Sequence, residues 1–383
     1  MAKKKILFLI GSLESGGVSK SMVNLLQVID KETYDITLWC GSRKGVFSKL
    51  VPHEVHVDEN PTREALLNGF KGIWTLLKLG HFLLAMGSVV RLFLSKIDKG
   101  YAGWWLSRLL PIVNESFDLI VDYNGQHQLY YMVDKLHGSK KLTFFHSDYA
   151  KWPYYYKMDK RYFPKVDAIF SISPQCVQSL KEYFPEVAEK IHLMENISSK
   201  SLIDKLSEER VLDFDGDVKI LTIGHLCKNK GTDLAIKAAA LLTKKGVDFT
   251  WYFLGLEKED YSSLIKDCQV EDRIVRLGMR VNPYPYIKQA TIIVHPSLFE
   301  GKSIALDEAK LLHKPIVVTN FSTVKDQFED GVNALVASFS PEDIASKILD
   351  LLHNEKLCNE LQANLVNNTR DNSDEINKLY RYM

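Results

Sequence analysis

Short apolar runs alternate with longer amphipathic stretches along this chain and divide it into two successive series of predicted strands and helices. The strands of the first series are expected at residues 6–10, 36–39, 54–57, 119–122, 142–145, 168–171 and 191–194. Those of the second are expected at 218–223, 250–254, 274–277, 292–295 and 316–319. Uninterrupted apolar runs are typical of parallel strands buried on both faces. The pattern therefore predicts an α/β protein with two Rossmann-like domains.

The length of 383 residues also favours two domains rather than one. We expect an N-terminal domain over residues 1–197, a linker over 198–217 and a C-terminal domain over 218–366. The remaining segment, 367–383, is predicted to be a helical tail that returns to the first domain. No internal repeat or low-complexity tract interrupts this organisation.

Charge and cysteine content narrow the class of protein. Residues 1–190 carry an excess of six positive charges and the remainder an excess of five negative charges. This asymmetry favours an anionic surface or acceptor next to the first half, but it is too weak to indicate nucleic acid binding. Five scattered cysteines and an N-terminal apolar run too short for a signal peptide predict a cytoplasmic protein with reduced thiols.

Residues 62–113 combine many aromatic and aliphatic side chains with seven cations. These are Arg63, Lys71, Lys78, Arg91, Lys96, Lys99 and Arg108. No stretch is long and uncharged enough to span a bilayer. Two interpretations stay open: helices lying in a membrane interface, or helices that cover the sheet with solvated lysines. The first predicts peripheral contact with an anionic membrane, at the inner face of the cell membrane.

The segment after the strand at 292–295 is the strongest candidate site. Glu300 lies in the loop, and Glu308 lies in the helix that Ser303 is expected to begin. Ligands bind open α/β sheets at the carboxyl ends of the strands. The carboxylates suit sugar hydroxyls, and free backbone N–H groups at residues 301–304 with the positive end of the helix dipole suit phosphate. These features predict a pocket for a nucleotide sugar; an exposed acidic helix start is the alternative.

Glu300 and Glu308 also form an E-x7-E element. This segment resembles the retaining glycosyltransferases of glycosyltransferase family 4, and the resemblance extends over the whole chain. It implies the GT-B fold, in which two Rossmann-like domains face each other across a central cleft. It further implies that Glu308 holds the ribose hydroxyls of the donor and that Glu300 holds its sugar hydroxyls.

The loop from Gly224 to Gly231 resembles the family segment Gly-Arg-Leu followed by Lys-Gly. The resemblance implies that Lys230 neutralises the donor diphosphate, together with amides of Gly301, Lys302, Ser303 and Ile304. His225 stands where the family usually has Arg, so a bidentate cation is lost. Lys228 is a candidate replacement for that charge.

Three further segments are carried over from the family. Gly16 and Gly17, before the first helix, resemble its Gly-Gly loop near the donor phosphates and the acceptor, although the Glu-Arg pair that often follows is absent. His146, at the end of the strand at 142–145, is implied to contact the transferred sugar. Met279 and Arg280 fall where the family holds the nucleobase. The residues expected to be catalytic are His146, Glu300 and Lys230.

The predicted reaction needs no cofactor and no metal, because no D-x-D pair lies in a loop comparable to the donor site and no His or Cys residues have metal-ligand spacing. The resemblance implies front-face transfer from a UDP-sugar, with retention, to a glycan or lipid-linked glycan in surface polysaccharide or capsule assembly. Two alternatives stay open. One is another GT-B enzyme, such as a sugar-nucleotide epimerase or a phosphorylase, and the other is a non-catalytic partner of the same fold.

Overall fold

A computed structural model describes residues 3–14, 16–41, 45–58 and 60–383 of the chain. The chain divides into two compact units. Unit one comprises Met1–Ile197 and Asp374–Met383, and unit two comprises Ser198–Ser373. Each unit is built on one parallel sheet, which confirms the predicted α/β class.

Unit one contains a seven-stranded sheet in the order β3-β2-β1-β4-β5-β6-β7. Its strands are β1 Lys4–Ile10, β2 Tyr34–Cys40, β3 His56–Asp58, β4 Ser116–Asp122, β5 His137–Phe145, β6 Ala168–Ser171 and β7 Ile191–Leu193. Its helices are α1 Gly17–Val28, α2 Pro61–Leu67, α3 Gly69–Lys78, α4 Phe82–Ile97, α5 Lys99–Leu109, α6 His127–Lys135, α7 Tyr156–Tyr162 and α8 Pro174–Tyr183.

Unit two contains a six-stranded sheet in the order β10-β9-β8-β11-β12-β13. Its strands are β8 Lys219–Ile223, β9 Thr250–Leu254, β10 Ile274–Gly278, β11 Ile292–His295, β12 Ile316–Thr319 and β13 Leu335–Ala337. Its helices are α9 Lys200–Ser207, α10 Thr232–Lys244, α11 Ser262–Asp267, α12 Tyr284–Gln289, α13 Ile304–Leu311, α14 Pro341–His353 and α15 Glu355–Asn368.

Each central strand supplies alternate side chains to two separate cores, which explains the uninterrupted apolar runs. In β11, Ile292 and Val294 pack into one core of unit two, and Ile293 packs into the core on the other face. In β1, Leu7 and Phe8 divide in the same way between the two cores of unit one. A strand whose faces both pack against helices needs apolar residues at every position.

The structure adds one strand to those expected from the sequence, and it shows where the polar helix predicted within the linker at residues 198–209 packs. The three-residue strand β13 extends the second sheet at its edge. The segment predicted as a linker contains α9, whose Ile203 is buried in a core of unit two.

The end of the chain packs into unit one. A short helix, α16 Asn377–Tyr380, follows Ile376, and both Ile376 and Leu379 are buried in the unit-one core. The ring of Tyr380 stacks on Tyr34 with centroids 5.2 Å apart, and its hydroxyl accepts from the Asp30 N–H at 2.9 Å.

Candidate active site

The loop that follows β11 is held in place by hydroxyl groups from the neighbouring strand and turn. Thr319 Oγ1, at the end of β12, donates to the Ser297 carbonyl at 2.6 Å. Thr323 Oγ1 donates to the Glu300 carbonyl at 3.0 Å. These buried bonds fix the backbone on either side of the predicted site, so Glu300 has a defined position before any ligand arrives.

Three donors converge on one oxygen of the buried Glu300 carboxylate. Lys230 Nζ lies 2.5 Å from Oε1, and both His295 Nε2 and Ser297 Oγ lie 2.8 Å from the same atom. Among the described residues, no hydrogen bond reaches Oε2. One oxygen therefore orients the carboxylate, and the other remains as an acceptor for a ligand.

The charge of Glu300 is set by its neighbours rather than by its burial. Burial alone raises the pKa of Glu300, but the Lys230 ammonium and His295 outweigh it and hold that pKa well below its usual range. The carboxylate is therefore ionised at neutral pH, and it lies in contact with the cation predicted to meet the diphosphate.

The position of Lys230 depends on the glycine that follows it. Gly231 has φ of +64°, and a Cβ built there would lie 1.9 Å from the Pro296 carbonyl oxygen. The Leu298 N–H also donates to the Asn229 carbonyl at 2.9 Å, which ties the loop after β8 to the loop after β11. A side chain at position 231 would push these two loops apart, so the Lys-Gly pair is a packing requirement of the site.

Glu308, in α13, is only 2% exposed. Its Oε1 accepts a hydrogen bond from the Tyr284 hydroxyl at 2.9 Å. Burial, together with the Glu308 charge, raises the pKa of Tyr284 well above its usual range, so the hydroxyl stays protonated and donates. Tyr284 therefore orients the carboxylate predicted to hold the ribose.

The start of α13 differs from the prediction of free amides over residues 301–304. The Ser303 N–H donates to Gln327 Oε1 at 2.9 Å, and Gln327 Nε2 returns a bond to the Ser303 carbonyl at 3.0 Å. The N–H of Ser303 is therefore satisfied within the protein, because a buried amide group faces it. In the same segment, the buried Lys302 ammonium lies 3.8 Å from Asp307 Oδ2.

His225 follows β8, as the sequence indicated, but it supplies no cation. Burial, the Lys258 ammonium and the Lys230 ammonium lower the pKa of His225, so the ring is neutral at neutral pH. Lys228 is exposed on the same loop. Lys258, which no motif singled out, is a second candidate for the charge that the family places on Arg.

Met279 and Arg280 follow β10, where the resemblance places the nucleobase. The Arg280 guanidinium is engaged within the protein: it lies 2.6 Å from Asp213 Oδ2 and 3.0 Å from the Tyr286 hydroxyl. Its side chain therefore links the segment before β8 to α12. The nucleobase contact implied by the resemblance is made mostly through backbone atoms, so it does not depend on this side chain.

The predicted residues of unit one lie at the carboxyl ends of its strands. Gly16, with φ of +95°, precedes α1, which begins at Gly17. A pocket of about 330 Å³ opens beside this turn. Its lining includes Ser12, Glu14, Ser19, Asn68 and Asn124. Polar groups of this kind suit a ligand rich in hydroxyls.

His146 lies at the end of β5 with its ring centroid 4.6 Å from that of Tyr123. Burial lowers the pKa of His146 to about 4, although the Tyr123 backbone and the Asn196 side chain act in the opposite direction. Its buried Nε2 has no hydrogen-bond partner among the described residues. A neutral imidazole with an unsatisfied nitrogen is suited to a hydroxyl of a ligand.

No group of three or more His, Cys, Asp or Glu side chains is placed to hold a metal ion in the described part of the chain. No helix within it is both long and apolar enough to span a bilayer.

Comparisons with known proteins identify the second half of the chain. Residues 204–371 match the family model described as glycosyl transferases group 1. Poly(ribitol-phosphate) alpha-N-acetylglucosaminyltransferase of Staphylococcus aureus is 26% identical over 200 residues, which cover 47% of this chain and 41% of that protein.

The N-acetylgalactosamine-N,N'-diacetylbacillosaminyl-diphospho-undecaprenol 4-alpha-N-acetylgalactosaminyltransferase of Campylobacter jejuni is 27% identical over 203 residues, covering 51% of this chain and 53% of that protein. The chain thus spans about half the length of these curated relatives.

The similarity to solved structures extends over nearly the whole chain. The crystal structure of HepE from Anabaena in complex with UDP-glucose superposes with a TM-score of 0.69 at 16% identity, covering 98% of both chains. Residues 204–371 therefore belong to the glycosyl transferases group 1 family, and the chain has the GT-B fold that its sequence predicted.

Proposed function

We propose that this protein is a retaining glycosyltransferase that moves a sugar from a UDP-sugar to a glycan or lipid-linked glycan acceptor in surface polysaccharide biosynthesis. The observation that carries the proposal is the partly buried contact of Lys230 with Glu300 at 2.5 Å, within the domain that matches group 1 glycosyltransferases. A fixed cation and an oriented carboxylate at the carboxyl end of a parallel sheet suit the two halves of a nucleotide sugar.

Each group has a separate task in this proposal. Lys230 offsets the charge that develops on the diphosphate as it leaves, which is electrostatic stabilisation by a preorganised group. Glu300 Oε2 accepts from hydroxyls of the transferred sugar, while Oε1 stays bound to its three donors. Glu308 accepts from the ribose hydroxyls, and His146 contacts the sugar as a neutral imidazole.

The proposed transfer keeps the anomeric configuration through a front-face step. The bond from the anomeric carbon to the diphosphate oxygen breaks, and the acceptor oxygen forms its bond on the same face of the sugar. The acceptor hydroxyl proton passes to the leaving phosphate oxygen, so no protein nucleophile is needed. Glu300 Oε1 is occupied by three donors, which favours a binding role over a covalent one.

The substrates are proposed from the relatives and from unit one. HepE of Anabaena was solved with UDP-glucose, and the Campylobacter relative is named for a diphospho-undecaprenol acceptor. The polar pocket beside Gly16 has room and hydrogen-bonding groups for a sugar of the acceptor. We therefore place the enzyme in the cytoplasm, in peripheral contact with the inner face of the cell membrane.

Full activity in excess chelator is expected for this reaction. Lys230 supplies positive charge at the diphosphate, and the described residues hold no cluster of metal ligands. Purified protein should release UDP from at least one member of a UDP-sugar panel in EDTA, at an unchanged rate when Mg²⁺ or Mn²⁺ is restored. Mass spectrometry of the products gives the donor, and NMR of the new linkage gives its configuration.

The outcomes of this assay separate the alternatives. Loss of activity in chelator with rescue by a divalent ion would contradict metal independence. A change of anomeric configuration would contradict retention. Tight binding of UDP without turnover of any donor would favour a non-catalytic partner protein. The neutral His225 supports that alternative.

A further inference from the structure

Large apolar side chains are exposed on one short part of unit one. Of the 21 exposed large hydrophobic residues in the described chain, 11 lie between Phe70 and Ile97. Phe70 and Trp74 on α3 are 69% and 62% exposed, and Leu83 and Ile97 on α4 are 81% and 83% exposed. An apolar concentration of this kind marks an interaction surface rather than ordinary scatter.

The spacing of these side chains gives α4 an outward apolar stripe. Phe82, Met86, Phe93 and Ile97 are all exposed, at intervals of four, seven and four residues. These intervals return to the same side of an α-helix. The stripe therefore extends along the whole of α4, about 24 Å at 1.5 Å per residue.

The fully buried residues of α4 are small, and of its large side chains Leu84 packs partly against the core. Ala85, Gly87 and Ser88 are buried, and a Cβ at Gly87 would lie 2.5 Å from a methyl carbon of Leu109. Trp105 Nε1 donates to the Gly87 carbonyl at 2.9 Å, which brings α5 against this side. A helix that only covers a sheet turns its large side chains inward, so α4 has the opposite arrangement.

The charges around this stripe have one sign. The sequence contains no Asp or Glu from residue 65 to residue 97, while Lys71, Lys78 and Lys96 are exposed there. None of these three lysines takes part in an ion pair with another described residue. An apolar face with a cationic border is complementary to the interface of an anionic membrane.

Three of the other four predicted cations, all of them arginines, make contacts within the protein. Arg63 pairs with Asp58, and Arg91 Nη1 donates to the Leu66 carbonyl at 2.7 Å. Arg108 lies 3.2 Å from Asp134. The sequence hypothesis required only about half of the seven cations to face the lipid, and for the three arginines the structure gives contacts within the protein instead.

We infer that α3 and α4 insert their exposed apolar side chains into the interface of an anionic membrane, with Lys71, Lys78 and Lys96 at the headgroups. Apolar insertion, rather than charge, carries most of the binding. Leu67 and Asn68, at the junction of α2 and α3, line the polar pocket of unit one. This inference rests on the proposed function for its consequence, which is that the acceptor in that pocket is amphiphilic and is reached from the membrane surface.

The test uses the full chain and vesicles of phosphatidylcholine with or without phosphatidylglycerol. Wild-type protein should co-sediment with the anionic vesicles, and brominated acyl chains should quench Trp fluorescence in wild type but much less in Trp74→Phe. Replacing Trp74, Phe82 and Phe93 together by Ser should lower partitioning at least about 100-fold. Replacing Lys71, Lys78 and Lys96 by Gln should cost about fivefold per charge at low salt.

Salt separates the two contributions. In about 1 M salt the screening length is about 3 Å, so the charge contribution is lost while the apolar contribution persists. Wild type should therefore still bind, and the lysine variant should match it. Equal binding by the apolar variant, absent quenching, or complete release of wild type by salt would overturn the inference, as would a stable dimer that protects Trp74 from vesicles.

A matched control places three Ser substitutions at exposed apolar residues of unit two: Leu212, Phe339 and Val366. This variant should bind vesicles as wild type does. The apolar variant of α3 and α4 should keep wild-type affinity for UDP, so its failure to bind vesicles is distinct from failure of the donor site. If neither the wild type nor the apolar variant bound UDP, the proposed function would be wrong. The vesicle result would still decide whether α3 and α4 bind the membrane.

Discussion

Replacing Glu308 by Gln is expected to weaken UDP binding about 30- to 1000-fold while leaving unit two folded. The carboxylate is almost fully buried, and charge-assisted bonds to two ribose hydroxyls are each stronger than neutral ones. The amide keeps the shape of the side chain, and its oxygen can still accept from the Tyr284 hydroxyl. Isothermal titration with UDP measures the affinity, and thermal denaturation checks the fold.

Tyr284→Phe is the matched control for this prediction. It removes the 2.9 Å hydrogen bond to Glu308 Oε1 but keeps the carboxylate and the ring. We expect UDP affinity to change only a few-fold. If Glu308 mattered solely as a partner of Tyr284, the two variants would lose similar stability and similar affinity. Unchanged affinity in Glu308→Gln would rule out the ribose assignment.

Replacing Lys230 by Met is expected to lower turnover about 100- to 1000-fold, the range for removal of one preorganised electrostatic group. It should also destabilise unit two by about 3 kcal/mol, the low end for breaking a buried ion pair, because the Lys230 side chain is partly exposed. The loss arises from the Glu300 carboxylate, which would remain ionised and buried without its cation.

A double variant distinguishes these two effects. Adding Glu300→Gln to Lys230→Met removes the unpaired charge, so most of the stability should return while turnover stays low. Lys228→Met, on the exposed part of the same loop, should leave the melting temperature unchanged. Turnover near the wild-type rate in Lys230→Met would contradict the assignment of the diphosphate contact.

The pattern of apolar runs was sufficient to predict the fold, because both sheets are parallel and are buried between helices. Residues 168–171, 250–254, 292–295 and 316–319 were predicted as strands with the bounds that the structure gives. The strand β13 was missed because three residues carry too little periodicity to be recognised. Helix α9 corresponds to the polar helix predicted over residues 198–209, but its polar composition gave no sign that Ile203 packs into unit two.

The partners of the two glutamates were only partly accessible from the sequence. His295 and Ser297 lie five and three residues before Glu300, so this closeness in sequence could have linked their donor groups to it. Tyr284 and Gln327 lie 24 residues away from the groups that they contact, on other elements. Contacts across elements depend on three-dimensional packing, so no local pattern predicts them.

The cations of residues 62–113 illustrate a second limit. The sequence gives their number but not the direction of each side chain. Arg91 extends back to the Leu66 carbonyl, and Arg63 lies against the ring of Trp39, with its guanidinium carbon 4.3 Å from the ring centroid. A variant that replaced Arg91 by Glu to test membrane binding would also remove a packing contact, so the three exposed lysines are the appropriate set.

A crystal structure of the protein soaked with UDP would show directly whether Glu308 binds the ribose and Lys230 binds the diphosphate. We expect the ribose hydroxyls within hydrogen-bonding distance of the Glu308 carboxylate and the terminal phosphate in contact with Lys230 Nζ. UDP bound elsewhere in unit two, or a site that stays empty at a UDP concentration that saturates calorimetry, would contradict it.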